Sequence, residues 1–189
     1  SAPQTLEQRF ADLGMQDIYE KLEKPLVPIL EDMQRWGIKI DTKILEKLLV
    51  STNKELEKLE KEIYRLSGTT FNINSPSQLG EVLFEKLGLK GKVRKTGKGA
   101  LSTAAPELEK LREEHPIIES ILEYRELQKL KTTYIEPFPQ LVSQTDGRLH
   151  TTYNQAGTGT GRLSSENPNL QNVPIKTELG QEFRKAFIA

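Results

Sequence analysis

The sequence predicts a mainly α chain with a small β element: a long antiparallel helical hairpin with a helical tip, followed by a few short strands. Three observations carry this. In residues 41–66, Leu45, Leu49, Leu56, Leu59, Ile63 and Leu66 follow alternating spacings of three and four, with one turn skipped at Thr52, as in a coiled-coil stripe. In residues 116–134, Ile118, Ile121, Leu122, Leu127, Leu130 and Tyr134 form an apolar face able to cover that stripe. Beyond Asp146-Gly147, which reads as a tight turn, the period changes to two: Leu149, Thr151 and Tyr153 alternate with His150, Thr152 and Asn154.

The remaining elements follow in order. Residues 17–36 place Ile18, Leu22, Leu26, Leu30 and Met33 at helical spacing, with Pro25 and Pro28 expected to kink or divide the helix. Asp41 is placed to cap the start of the long helix and Gly68 to end it. Its outer face is a ladder of Lys and Glu that favours solvent. Ser75, Pro76 and Gln78 read as a capping-box start for a helix reaching about Gly88, and Ser102 or Thr103 as the cap of another through Glu113. Pro137 is expected to close the second long helix, and residues 183–188 are a second strand candidate. The stretch 157–174, rich in Gly, Thr, Ser and Asn, is too polar for core and too long for a simple turn, as functional loops often are.

Composition narrows the function. Of 189 residues 35% are hydrophobic and 29% charged, which suits one compact body with an extended, solvated arm. The 27 basic and 27 acidic residues cancel, so any nucleic-acid site has to come from local clustering. Absence of cysteine excludes disulfides, and with only His115 and His150 a nitrogen- or sulfur-rich zinc site is not expected. No apolar run approaches the ~18 residues of a membrane span, and the start lacks a charged-then-apolar leader, so a cytoplasmic location without a membrane partner is expected. Ser1 in place of Met reads as a trimmed start.

Three segments could carry chemistry. The tip, residues 86–106, holds Lys86, Lys90, Lys92, Arg94, Lys95 and Lys98 without an acidic residue. Such a cluster binds phosphates by releasing counterions. Gly91, Gly97 and Gly99 would admit a sugar-phosphate chain closely, with Ser102 and Thr103 adding hydroxyl contacts. The competing reading is a solvated, flexible loop. Residues 124–134 crowd Arg125, Lys129, Lys131, Thr132, Thr133 and Tyr134 together, with Arg125 and Lys129 on one face, although Glu123 and Glu126 dilute the charge. An ordinary solvent face is the alternative there. The third segment, GTGTGRLSSENPNLQN, fits neither a phosphate loop, since it lacks the Lys, nor GxGxxG spacing. It sets Arg162 among Ser164, Ser165, Asn167, Asn169, Gln171 and Asn172, donors suited to minor-groove acceptors that every base pair offers. Alternatively these groups satisfy one another and the loop backbone. No nucleophile elbow, no Ser, His and acid arrangement, and no strand-borne carboxylate pair for magnesium is present in the sequence.

At this third segment the sequence resembles a known family. TGRLSSENPNLQNVPIKTELGQEFRKAFIA is similar to the stretch of family A DNA polymerases, the bacterial polymerase I type, just ahead of the first aspartate motif of the palm. FNINSPSQLGEVLFEKLGL, KTGKGALST, YRELQKLKTTYIEPFPQLV and GRLHTTYNQ resemble thumb and early-palm segments in the same order. The likeness runs from about Ile18 to Ala189. It implies that residues 1–40 are the junction with a preceding exonuclease-like domain plus a base helix, 41–137 the thumb, and 138–189 the N-terminal part of the palm.

The resemblance also implies roles. Lys95, Lys98, Ser102 and Thr103 would touch backbone phosphates on the minor-groove side of the duplex. Arg125, Lys129, Lys131, Thr133 and Tyr134 would lie where the thumb base meets primer-template DNA. Arg162 matches the arginine that probes the minor groove at the primer end, and Asn169, Gln171 and Asn172 match amide positions beside the same base pairs and the template. Gly157 and Gly159 stand where related sequences often carry larger residues. The family's catalytic aspartates, in DYSQIE-like and HDE-like motifs, and its nucleotide-binding fingers helix have no counterpart in the sequence. The expected function is therefore part of a DNA-directed DNA polymerase in replication and repair, in a bacterial nucleoid or phage-infected cell. Its partners would be primer-template DNA and the remainder of the polymerase, in the same or a second polypeptide. Mg2+ would belong to the complete enzyme; this chain alone is expected to hold no catalytic residue and no metal, and to be inert. A stand-alone DNA-binding module, half of a split polymerase, and a structural helical hairpin are the alternatives.

Overall fold

The computed structural model describes residues 5–173 and 177–188. Residues 1–4 and 189, at the ends of the first and last predicted segments, and 174–176, where the polar loop was to end, lie outside the described residues. The elements are α1 (Leu6–Asp12), α2 (Gln16–Ile18), a π turn (Tyr19–Glu23), α3 (Lys24–Trp36), β1 (Ile38–Ile40), α4 (Thr42–Ser67), α5 (Pro76–Gly80), a second π turn (Glu81–Lys86), α6 (Ala105–Glu109) and α7 (Ile117–Leu130). A third π turn (Lys131–Ile135), α8 (Pro137–Leu141), β2 (Arg148–Leu149), β3 (Thr152–Asn154), β4 (Ser164–Glu166), α9 (Glu178–Arg184) and β5 (Phe187–Ile188) complete it. The chain is mainly helical with small antiparallel sheets, and divides into two compact units: Lys43–Pro137, and Ser1–Thr42 with Phe138–Ala189. The first and last predicted segments thus fold as one body.

In the hairpin unit, α4 buries Leu45, Leu48, Thr52, Leu56, Leu59, Ile63 and Ser67. Leu48 and Ser67 replace the predicted Leu49 and Leu66, and Thr52 is a member of the stripe rather than a gap. Spacings of three, four and four return to register after eleven residues, 3.67 per turn, which an almost straight helix follows; a heptad reading drifts ~20° per repeat. Gly68 ends α4 with φ 66° and donates its N–H to the Tyr64 carbonyl at 2.9 Å. The second arm, α7, buries Ile117, Ile118, Ile121, Tyr124, Leu127 and Leu130. Burial pushes the Tyr124 phenol's pKa up, and so does the Glu60 carboxylate of α4, against a hydrogen bond to Asn74. Pro137 begins α8 instead of closing the helix, since the π turn Lys131–Ile135 already ends α7. Ser75 caps α5 as predicted, but the Gln78 side chain accepts from Asn72 N (2.8 Å) instead of Ser75 N. The cap of α6 is Ala104, with Ser102 Oγ accepting from Ala104 N at 3.2 Å, and the helix stops at Glu109.

In the sheet unit, β1 sits between β2 and β5, all antiparallel, with Ile38 opposite Leu149 and Ile40 opposite Phe187. The predicted strand 183–188 is a strand only at its end. Thr177 Oγ1 accepts from Gly180 N at 3.1 Å and starts α9, which carries Phe183 as a helical residue. Phe183 and Phe187, four apart, meet Phe138 edge-on, with centroids 5.4–6.3 Å apart across the three pairs. Pro25 and Pro28 do not divide the first helix: Pro25 lies where the π turn passes directly into α3, and Pro28 is carried inside. Of the five apolar residues predicted there only Leu30 is buried. Ile18, Leu22, Ile29, Met33 and Trp36 form an exposed stripe, Trp36 being 71% exposed.

Candidate nucleic-acid interface

At the tip, residues 94–102 fold back as a small hairpin. Lys95 pairs with Leu101 in an antiparallel bridge, Ser102 N donates to Arg94 O (2.8 Å), Thr96 N to Ala100 O (2.7 Å) and Gly99 N to Thr96 O (2.9 Å). Gly99, at φ 83°, supplies the left-handed residue this reversal needs. Lys98 lies at the apex and Lys95 on one leg, both exposed. Among the described residues neither ammonium has a hydrogen-bond or ion-pair partner. Lys86 is used internally, donating to Gly68 O at 3.1 Å. Gly91 serves packing: a Cβ there would sit 2.1 Å from Leu111 Cδ2.

The two hydroxyls of the tip divide. Ser102 is half-buried at the hairpin's foot, whereas Thr103 is 6% exposed and receives the Arg125 guanidinium at its carbonyl and, at 3.5 Å, at its Oγ1. Arg125 is thus half-buried, and burial pulls its pKa below the ordinary value. Lys129 and Thr133 are exposed, Lys131 stands 3.5 Å from Glu136, and Tyr134 is 3% exposed. Tyr134 and Thr103 are therefore core positions in this unit, Tyr134 continuing the buried face of Leu127 and Leu130 at helical spacing. Lys129 and the Thr133 side chain have no hydrogen-bond or ion-pair partner among the described residues.

The glycine segment is the loop of a β-hairpin. β3 and β4 pair through Thr152–Glu166, Tyr153–Ser165 and Asn154–Ser164, leaving residues 155–163 as the connection. Gly157 packs closely, since a Cβ would lie 2.2 Å from Ser164 Oγ, whereas Gly159 faces open space. Thr158 Oγ1 donates to Arg162 O at 2.7 Å and Gly161 adopts φ 75°. The exposed Arg162 guanidinium has no protein partner among the described residues.

Below the loop, Thr151 Oγ1 lies 2.6 Å from Ser165 Oγ and within 3.0 and 2.8 Å of the Glu166 and Pro168 carbonyls. Leu170 N donates to Ser165 Oγ at 3.2 Å. This buried hydroxyl pair holds the turn through the cis Asn167-Pro168 bond. The mutual-satisfaction reading describes part of the segment: Asn169 Oδ1 accepts from Gln171 N (2.9 Å) and the Gln171 side chain donates to Leu163 O. Asn172 is exposed and has no partner among the described residues. Thr151 was legible only as a hydroxyl on the apolar-facing side of an alternating strand.

The model of DNA polymerase family A matches residues 42–189. The chain belongs to DNA polymerase family A. It is 52% identical over 174 residues to the thermostable DNA polymerase I of Thermus aquaticus, covering 91% of this chain and 21% of that protein. DNA polymerase I of Geobacillus stearothermophilus is 51% identical over 168 residues, 89% of this chain and 19% of the relative. Among solved structures, the POL domain of Pol1 from M. smegmatis, in complex with DNA primer-template and dNTP, superposes with a TM-score of 0.88 at 37% identity, over 97% of this chain and 32% of that one. The chain therefore spans about a fifth of the length of its curated relatives. Among the described residues of this family A chain, no group of three or more His, Asp or Glu side chains could hold a metal ion, and no helix is long and apolar enough to cross a membrane.

Proposed function

We propose that the chain is the duplex-gripping part of a DNA-directed DNA polymerase, with residues 41–137 as thumb and 138–189 as the start of the palm. Lys95 and Lys98 bind backbone phosphates, and Arg162, with Asn169 and Asn172, senses the primer end through the minor groove. The observation that carries this is a set of exposed cations without protein partners among the described residues, Lys95 and Lys98 on a closed hairpin and Arg162 on a β-hairpin loop, in a family A chain whose solved neighbour is in complex with DNA primer-template. An ammonium with no internal partner is available to displace counterions from a phosphate chain. The exposed stripe of α3 is the face that the remainder of the polymerase covers. Phosphoryl transfer requires carboxylates that this chain does not supply, so by itself it is inert.

Affinity for primer-template duplex, measured against salt, tests the reading. Binding should be independent of sequence, and Lys95→Ala with Lys98→Ala should flatten the log-log salt slope by about one to two units. An unchanged slope returns the tip to a solvated loop. Template-dependent extension by the purified chain with magnesium, above a contamination control, would contradict the assigned inertness.

A further inference from the structure

Glu107 is an unexpected charge to find at the foot of a phosphate-binding hairpin. Its carboxylate is only 10% exposed, in the first turn of α6, and nothing in the local sequence marks it. Oε2 accepts from Arg94 N at 2.9 Å and from Lys110 Nζ at 2.6 Å, while Arg94 Nε stands 3.9 Å from Oε1. Arg94 is also the residue whose carbonyl receives Ser102 N, closing the hairpin. One residue is therefore bound on its N–H side by Glu107 and on its carbonyl side by the returning strand. The other end is fixed by Arg125 on Thr103. Between these anchors every residue from Arg94 to Ala100 is exposed, so the lysines owe their placement to the two feet.

We propose that Glu107 is a positioning residue for phosphate binding: its buried carboxylate holds the Arg94 amide and so fixes the direction in which Lys95 and Lys98 reach the duplex. This rests on the reading of the tip as a phosphate site. A carboxylate so near bound phosphates is tolerated because Lys110 neutralises it and burial keeps it off the surface. A hydrogen bond to an ionised acceptor is roughly twice as strong as a neutral one, which suits an anchor that a neutral side chain would replace only in part.

Charge and position give opposite signs on mutation, and that decides the test. Removing a negative charge near phosphates raises affinity if Coulomb repulsion is all Glu107 contributes; removing an anchor lowers it. Glu107→Leu and Glu107→Gln in the full chain are compared with Lys95→Ala/Lys98→Ala for duplex affinity against salt, and for amide hydrogen exchange at Arg94 and Ser102 without DNA. Glu107→Leu should speed exchange at both amides about tenfold or more and flatten the salt slope by about one to two units, with no further loss when combined with the lysine changes. Glu107→Gln, which keeps an acceptor of the same shape, should recover part of both. Unchanged exchange, or faster exchange with affinity unchanged or raised, overturns the positioning role. If the lysine variant alone leaves the slope intact, the phosphate reading fails and the proposal with it, while faster exchange would still identify Glu107 as a structural anchor.

Discussion

His150 Nδ1 lies 2.7 Å from the Gln34 carbonyl oxygen, a contact in which the ring nitrogen has to donate. The other nitrogen, Nε2, lies 2.8 Å from Asp146 Oδ2, so both positions carry hydrogen only when the ring is an imidazolium. The Gln34 contact, with Asp146 added, raises the His150 pKa. Asp146 is lowered, mainly by accepting from Arg148 N and further by the imidazole.

The sign follows from linkage. His150, raised on folding, contributes stability fully present below its unfolded pKa of ~6.5 and lost as pH rises through the folded value. Asp146, depressed, contributes stability present above its unfolded pKa of ~3.9 and lost as pH falls through the folded value. Thermal midpoints should therefore be highest between the two and fall on the alkaline side less steeply in His150→Gln. A titration of the His150 ring by NMR with a midpoint at or below that of a free histidine would remove the basis for this.

Thr52 Oγ1 is buried on the inner face of α4 with no hydrogen-bond partner among the described residues. An unsatisfied buried hydroxyl costs about 1–3 kcal/mol, and valine keeps its shape. Thr52→Val should raise stability by about 1 kcal/mol, or about 2–4 °C in midpoint. Thr52→Ala should lower it by opening a cavity. A destabilised valine variant would mean that the hydroxyl is satisfied in solution.

The same helix shows what the sequence could and could not reveal. Leu45, Leu56, Leu59 and Ile63 were legible because any helical period places them on one face. Thr52 and Ser67 were not, since a polar side chain gives no hydrophobic signal and the eleven-residue register emerges only once both are counted. β1 escaped for a different reason: its partners, residues 148–149 and 187–188, are more than a hundred positions away, and pairing at that distance leaves no local pattern. Residues 183–188 were a strand candidate, but the Thr177 cap and the need to bring Phe183 onto Phe138 favour a helix first. Among the predicted site residues, an exposed setting was legible for Lys95, Lys98 and Arg162. Burial of Tyr134 was legible from its place on the apolar face of the second arm, whereas that of Thr103 was not, because it depends on Arg125 turning inward.

The glycine loop separates two substitutions of the same kind. Gly159 faces open space at an ordinary φ, so Gly159→Ala should stabilise by about 0.4–1 kcal/mol through the unfolded chain. Gly157→Ala would put its Cβ against Ser164 Oγ and should lose stability, with Ser164→Ala restoring most of it. Chemical denaturation of the two singles and the double measures the coupling. Additive effects would show that the Gly157–Ser164 approach is not what limits the position.

Arg162 is tested in a polymerase completed by a polypeptide carrying the aspartate motifs. The exposed guanidinium has no protein partner among the described residues, so its removal should cost the fold little. If it donates to a minor-groove acceptor at the primer end, Arg162→Ala removes a charge-assisted hydrogen bond of roughly 1.5–3 kcal/mol. Extension should then slow by about tenfold to about a hundredfold. Duplex affinity should fall far less if it rests mainly on phosphate contacts elsewhere. A primer whose terminal base lacks the acceptor nitrogen should slow the unmodified enzyme and leave the Arg162→Ala enzyme almost unchanged, since the contact is already gone. If base analogue and substitution each slow extension and their effects multiply, Arg162 does not read that base, and its role is to hold the loop between β3 and β4.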